Sequence, residues 1–181
     1  YLDIVYRIGN SFIIGCLANA LWIFAWHYDY ILISVLLMLI LLLSLIDIYQ
    51  KVYQTKQNTI LEKIASQWIF SVYLSWISVA TIANITAFLV SIRWNGLGIP
   101  PQTWTMVVII IATALTLRFV FYKKDVPYAF VTQWAFIGII IKHLTVWGGV
   151  YKGVIIMTAF CMLLIFASIL AMPKGYQTQR S

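Results

Sequence analysis

Between Tyr30 and Asp47 the chain runs ILISVLLMLILLLSLI without a charge or a helix breaker. At about 1.5 Å per residue such a run approaches the thickness of bilayer hydrocarbon when it is helical. Backbone amides in hydrocarbon must be satisfied internally, as they are in a helix. Comparable stretches recur along the whole chain. Hydrophobic residues make up 63% of the 181 positions and charged residues 9%, against roughly a quarter charged in soluble domains. The fold class expected is all-α, a polytopic transmembrane helix bundle.

Six spans can be drawn. The first runs from about Tyr6 to Trp26 and ends at His27-Tyr28-Asp29; the second covers Tyr30 to about Tyr49. A polar stretch, QKVYQTKQNTILEK, leads to a third span from about Ser66 to Ile92, long enough to tilt. Arg93-Trp94-Asn95-Gly96-Leu97-Gly98 is read as its glycine-rich terminator. Pro100 and Pro101 pre-set the first turn of a fourth span reaching Tyr122. Asp125 is an N-cap candidate with Pro127 in the first turn of span five, which ends near Trp147. Gly148-Gly149 forms the turn to span six, about Val150 to Met172, stopped by Pro173-Lys174-Gly175.

The formal charge is +7, from 12 Lys and Arg against 5 Asp and Glu. These cations sit at span ends, so they read as membrane-flank anchors and not as a nucleic-acid surface. One side carries Arg7, Lys51, Lys56, Lys63, Lys123, Lys124, Lys174 and Arg180; the other carries Arg93, Lys142 and Lys152. The positive-inside rule places the first set, and both ends of this chain, on the cytoplasmic, stromal or matrix side. Arg118, Lys142 and Asp47 lie about a turn inside their helix ends and can snorkel outward. No ionisable group stands at mid-span, which weighs against a pump or an ion-coupled carrier. Cys16 and Cys161 fall inside apolar runs and read as small packed or lipid-facing residues. His27 and His143 are read as interfacial histidines bonded to water or backbone. There are no paired carboxylates, no Ser/His/Asp set, no phosphate loop and no zinc spacing. No enzymatic activity and no metal are assigned.

Polar groups inside spans one and three need a reason, since they are costly in hydrocarbon. In YLSWISVATIAN, Tyr73, Trp76, Ala80 and Asn84 fall on one helical stripe, with Ser71, Ser75 and Ser78 roughly opposite. The serines let a neighbouring backbone approach. In span one Asn19, Trp22 and Trp26 share a face with Gly15. Both stripes suit tight helix packing, or a pocket for a flat apolar ligand with Asn and Tyr setting its orientation.

Tyr73-Leu74-Ser75-Trp76, Ala80-Thr81 and Asn84 resemble the last-helix signature of the translocator protein / tryptophan-rich sensory protein family (TspO/MBR). Asn19-Ala20-Leu21-Trp22 with Trp26 resembles that family's third-helix pattern, in the right order and separated from the first motif by one further span. The resemblance covers about Gly9 to Ile92. It implies two parts: residues 1–93 as a core matching the family's helices three to five, and 94–181 as a three-helix C-terminal membrane extension. The family's first two helices have no counterpart in this stretch, so they precede Tyr1 or the chain is a shortened relative. Ile23 and Phe24 stand where prolines often follow the third-helix Trp, and ITAFLVSIR after Asn84 lacks the tyrosine of the animal sterol motif, so sterol binding is not carried over.

The resemblance further implies a pocket for a porphyrin or similar tetrapyrrole, with a sensory or regulatory role as a receptor. The matching ligand-binding residues are Asn19, Trp22, Trp26, Tyr73, Trp76, Ala80 and Asn84. No cofactor beyond such a ligand is implied. Some members are reported to promote porphyrin breakdown through the counterpart of Trp76; catalysis is not assigned to this chain. Partners expected are the lipid bilayer, a hydrophobic small molecule and no nucleic acid. A homodimer is open, as is a second role: accessory or scaffold subunit of a larger, pigment-containing membrane complex. A carrier of small hydrophobic molecules is a third reading.

Overall fold

The computed structural model describes residues 2–55 and 59–172. Among these the secondary structure is helical throughout, in six helices joined by short turns. They are α1 (Leu2–His27), α2 (Ile31–Gln54), α3 (Ile60–Ser91), α4 (Pro101–Lys123), α5 (Val126–Thr145) and α6 (Lys152–Leu170). All except α5 are long and apolar enough to cross a membrane. The α5 segment carries Gln133, Lys142 and His143 among its apolar residues. The protein is an integral, multi-pass membrane protein. Lys56 and the Pro173–Gly175 stop with the tail lie outside the described residues.

Helix starts follow the expected chemistry. Pro101 opens α4, and Asp125 caps α5 by accepting from the Tyr128 amide at 3.1 Å, with Pro127 in the first turn. The helices end near the expected residues, but α3 closes differently. The glycine pair Gly96/Gly98 does not terminate α3; Arg93 does, by taking a left-handed backbone (φ 54°) while the Trp94 amide donates to Leu89 O at 3.0 Å. The same closure ends α1 at Asp29 (φ 58°, Tyr30 amide to Ala25 O) and α4 at Lys124 (φ 52°, Asp125 amide to Phe119 O). Only α5 uses glycine, with Gly148 at φ 56° and the Gly149 amide on His143 O. The motif satisfies carbonyls that would otherwise end in a poor solvent. At these positions a charged side chain can also reach the headgroup region.

The chain divides into two compact units between Ile99 and Pro100. In the first, α2 is central and packs against both α1 and α3, which make little direct contact with each other. In the second, α6 packs against both α4 and α5.

The packed faces obey one rule. On α2 the buried residues Ser34, Met38, Leu41, Leu45, Ile48 and Val52 recur at alternating steps of four and three. Ser11, Gly15, Ala18, Trp22 and Ala25 do so on α1, and Leu74, Ile77, Thr81 and Asn84 on α3. In the second unit the rule holds for Ile109, Thr113, Thr116 and Val120, and for Val154, Thr158, Cys161, Ile165 and Ser168. A 3.5-residue repeat is the geometry of left-handed packing at about 20° crossing angles. Lipid is as apolar as leucine, so dispersion and close approach hold these seams together. Gly15 illustrates the approach: a Cβ placed on it would lie 3.6 Å from Leu41 Cδ1 and Ser44 Cβ.

Candidate functional site

The residues singled out in spans one and three all lie in the first unit. The structure sorts them into three groups. Asn84 is 3% exposed and turns toward α2, where Ser34 Oγ lies 2.9 Å from its Oδ1. Trp22 sits within the α1 seam between the buried Ala18 and Ala25 and stacks on Trp26, with centroids 6.2 Å apart at 26°. Asn19, Tyr73 and Ala80 are half-buried at the edges of the packed faces. Trp76, 52% exposed, lies on the far side of α3 from α2, and Trp26 is also exposed.

At about 100° per residue Asn84 lies at the border between the aromatic stripe and the packed face. That position explains why it belongs to both: it continues the Tyr73–Trp76–Ala80 line in sequence but bonds across the α2–α3 seam in space. The serines behave as read from sequence, with Ser71 and Ser75 buried and Ser78 half-buried.

Two atoms stand out. Trp22 Nε1 and Asn84 Nδ2 are buried without a hydrogen-bond partner. Ser34 has one proton, and its oxygen lies near both Asn84 Oδ1 and Ile31 O, the latter at 2.8 Å. It therefore serves one end of the Asn84 amide and leaves the other unmatched. Turning the amide over exchanges which atom is orphaned without removing the orphan. A buried unpaired N–H costs on the order of 1–3 kcal/mol. Trp22 precedes the end of α1 by five residues and Ser34 follows the start of α2 by three, so the two orphans lie within about a turn of the same depth.

Sequence reasoning missed Ser34. The signal was weak, since a serine beside an interfacial tyrosine is ordinary. It also gave Asp47 no partner beyond solvent. The structure pairs Asp47 with Lys51 one turn on and with Ser11 of α1. The Lys51 contact was readable from the four-residue spacing; the Ser11 contact depends on how α1 meets α2.

The second unit shows a contrasting polar interior. Thr116 and Thr132 share a hydrogen bond of 2.9 Å between α4 and α5. Thr113, Thr158 and Ser168 each donate to a carbonyl one turn back. His143 is buried, with Nδ1 at 2.9 Å from Ile139 O and its ring edge-on to Trp147. This is the backbone-bonded state read from sequence, but at a packed position. An outward-facing groove of about 590 Å³ runs along α5 and α6 beside Phe130, Trp134 and Phe166. On its wall Gln133 Nε2 donates to Met162 O at 2.9 Å, and its Oε1 is unpartnered. Among the described residues no group of three or more His, Cys, Asp or Glu could hold a metal.

No curated protein and no solved structure matches the chain. A family model described as TSPO-like protein matches residues 2–171, which takes in both units and all six helices. Trp22 and Asn84 lie within the matched residues, and the chain belongs to the TSPO-like protein family.

Proposed function

We propose that the first unit binds a flat, hydrophobic, tetrapyrrole-like ligand carrying hydrogen-bond acceptors, and that binding serves a sensory or regulatory role. One observation carries the reading. Trp22 Nε1 and Asn84 Nδ2 are buried, unmatched and close to one depth. An orphan N–H in hydrocarbon is costly unless an acceptor arrives. A porphyrin supplies carboxylates for such donors and a broad π-face for Trp76 and Trp26, whose rings are exposed. Asn19, Tyr73 and Ala80 lie half-buried at the edges of the packed faces, where a ligand replaces lipid and reaches the two donors by parting the seams locally.

The test is a porphyrin titration of the purified full-length protein in detergent, read by tryptophan fluorescence. Saturable quenching is expected, weakened by Trp22→Phe, which removes the N–H and keeps most of the ring area. Asn84→Leu and Trp76→Ala should weaken it as well. Absence of saturable quenching in the wild-type protein defeats the reading.

A second reading, scaffold subunit of a larger membrane assembly, draws on the outward groove of α5 and α6. Trp134 there is 67% exposed. A large aromatic ring turned outward along a groove suits a neighbouring helix or a bound pigment. Co-migration with other membrane subunits on a native gel, lost in Trp134→Ala, would favour it.

A further inference from the structure

Trp134 stands at an unusual depth for its kind. Gln133 beside it bonds to Met162 O, one residue past the middle of α6. Both residues therefore lie about 15 Å from either surface of the hydrocarbon, out of reach of water and of lipid headgroups. Tryptophans gather at the interfaces, where the indole N–H is solvated. Here the ring is 67% exposed, and its Nε1 has no hydrogen-bond partner among the described residues. An exposed apolar ring is ordinary in lipid, but an unmatched N–H is not.

The second unmatched atom is on the adjacent residue: Gln133 Oε1, buried in the wall of the outward groove. Its identity as the oxygen is fixed. Turned over, the amide would set that oxygen against Met162 O, acceptor against acceptor. One groove thus carries an acceptor without a donor and, one residue on, a donor without an acceptor. Within a single copy the two do not meet. Two copies inserted the same way are related by a two-fold axis along the membrane normal, so equal residues lie at equal depth. A second copy therefore brings each missing group to the level where it is needed.

We propose that the α5–α6 groove is the interface of a two-fold homodimer, in which Trp134 of each copy enters the groove of the other and donates from Nε1 to the partner's Gln133 Oε1. The groove, about 590 Å³ between Phe130, Ile137, Met162 and Phe166, has room for the incoming indole. Rotation of an exposed lining side chain uncovers Oε1; Phe130 is 61% exposed. Gly138 follows Trp134 by one turn and is also exposed, with open space where a Cβ would stand, so the partner's backbone can come close. The exchange is reciprocal and leaves neither atom over. A foreign helix would have to supply a matched donor and acceptor at this depth, whereas the chain's own copy carries both. The proposal does not rest on the ligand reading of the first unit, and it gives the groove a different occupant from the scaffold reading.

The test uses the full chain in phosphatidylcholine vesicles, labelled at one terminus with a donor or an acceptor dye. Energy transfer is read as the protein is diluted in lipid, and a saturable monomer–dimer curve is expected. Trp134→Phe removes the N–H and keeps most of the ring; Gln133→Leu removes the acceptor. Each should weaken the dimer by about five- to ten-fold, the worth of two interhelical bonds. The double variant should weaken it no further, since both changes remove the same pair of bonds. Trp68→Phe, an indole of the first unit, should leave the curve in place. A wild-type protein that stays monomeric at every dilution overturns the proposal, whatever else is then found in the groove. So does a dimer that both variants leave intact, one that Trp68→Phe weakens equally, or losses that add in the double variant. If Gln133→Leu does not fold, Trp134→Phe, at an exposed position, decides alone.

Discussion

The two units bury hydroxyls alike, matched to a carbonyl one turn back as at Ser44 and Thr81 in the first, but differ in their buried side-chain nitrogens. In the second, the hydroxyls of Thr113, Thr116, Thr132, Thr158 and Ser168 are matched to carbonyls or to each other within the seams. In the first, Trp22 and Asn84 each keep a buried nitrogen unmatched. Matched hydroxyls on a 3.5-residue repeat are a packing device, since they let helices approach and leave nothing for a ligand. Unmatched groups of the same burial are a standing cost that a ligand can relieve. The comparison thus separates scaffold from candidate site without appeal to aromatic content, which both units share. Gln133 is the exception in the second unit, and it lies on the wall of an outward groove and not on a seam.

The largest effects test whether the seams are packed as described. Tyr128→Ala removes a buried ring stacked on Phe119 at 4.0 Å and should cost about 3–5 kcal/mol. Leu41→Ala on α2 should cost about 2–5 kcal/mol. Both are measurable by unfolding in detergent, and a loss below about 1 kcal/mol at either site would mean its seam is loose. Next, Gly15→Leu should overpack the α1–α2 seam by about 1–3 kcal/mol. Gly15→Ala should be nearly neutral, because the added carbon meets its neighbours at 3.6 Å.

A smaller effect goes to the centre of the comparison. A double-mutant cycle on Thr116→Val and Thr132→Val should give a coupling of about 0.6 kcal/mol, the usual size of an interhelical bond in a membrane protein. Without ligand, replacing Ser34 and Asn84 together by Ala and Leu should be neutral or slightly stabilising, since it removes an orphan along with its bond. Destabilisation of the ligand-free protein by more than about 1 kcal/mol would show that the Asn84 pair is structural, and the contrast between units would fail. The smallest change expected is Trp76→Ala, within about 0.5 kcal/mol, because its ring is exposed. A porphyrin affinity lost with stability unchanged would sharpen the division between seam and site.

Much of the helical frame is legible along the chain. Apolar runs of bilayer length require helices, and Pro101, Asp125 and Pro127 mark starts that the structure keeps. Stops are less legible. Asp29, Arg93 and Lys124 carry left-handed closures, and at α3 Arg93 does so where the glycines at 96 and 98 were the expected stop. The choice depends on which residue stands at the membrane boundary, where a charged side chain can leave the hydrocarbon. The added turn of α3 at Ile60–Lys63 and its π-turn at Ile64–Trp68 were likewise hidden, because the polar stretch before Ser66 has no apolar run to announce a helix.

The candidate site divides along the same line. Local sequence was enough to place Asn19, Trp22, Trp26, Tyr73, Trp76, Ala80 and Asn84 on two helical stripes. It did not determine which of them pack and which stay outside. Helices that are apolar on every side carry no facing signal in their hydropathy, because lipid and a neighbouring helix offer much the same medium. The facing residues are picked by volume and hydrogen bonding across the seam, and both are properties of pairs. Asn84 shows the consequence: its partner is Ser34, fifty residues away. By itself the sequence determined the class of protein, its helices and the membership of its stripes; the tertiary structure alone decided that Asn84 faces α2 while Trp76 faces outward.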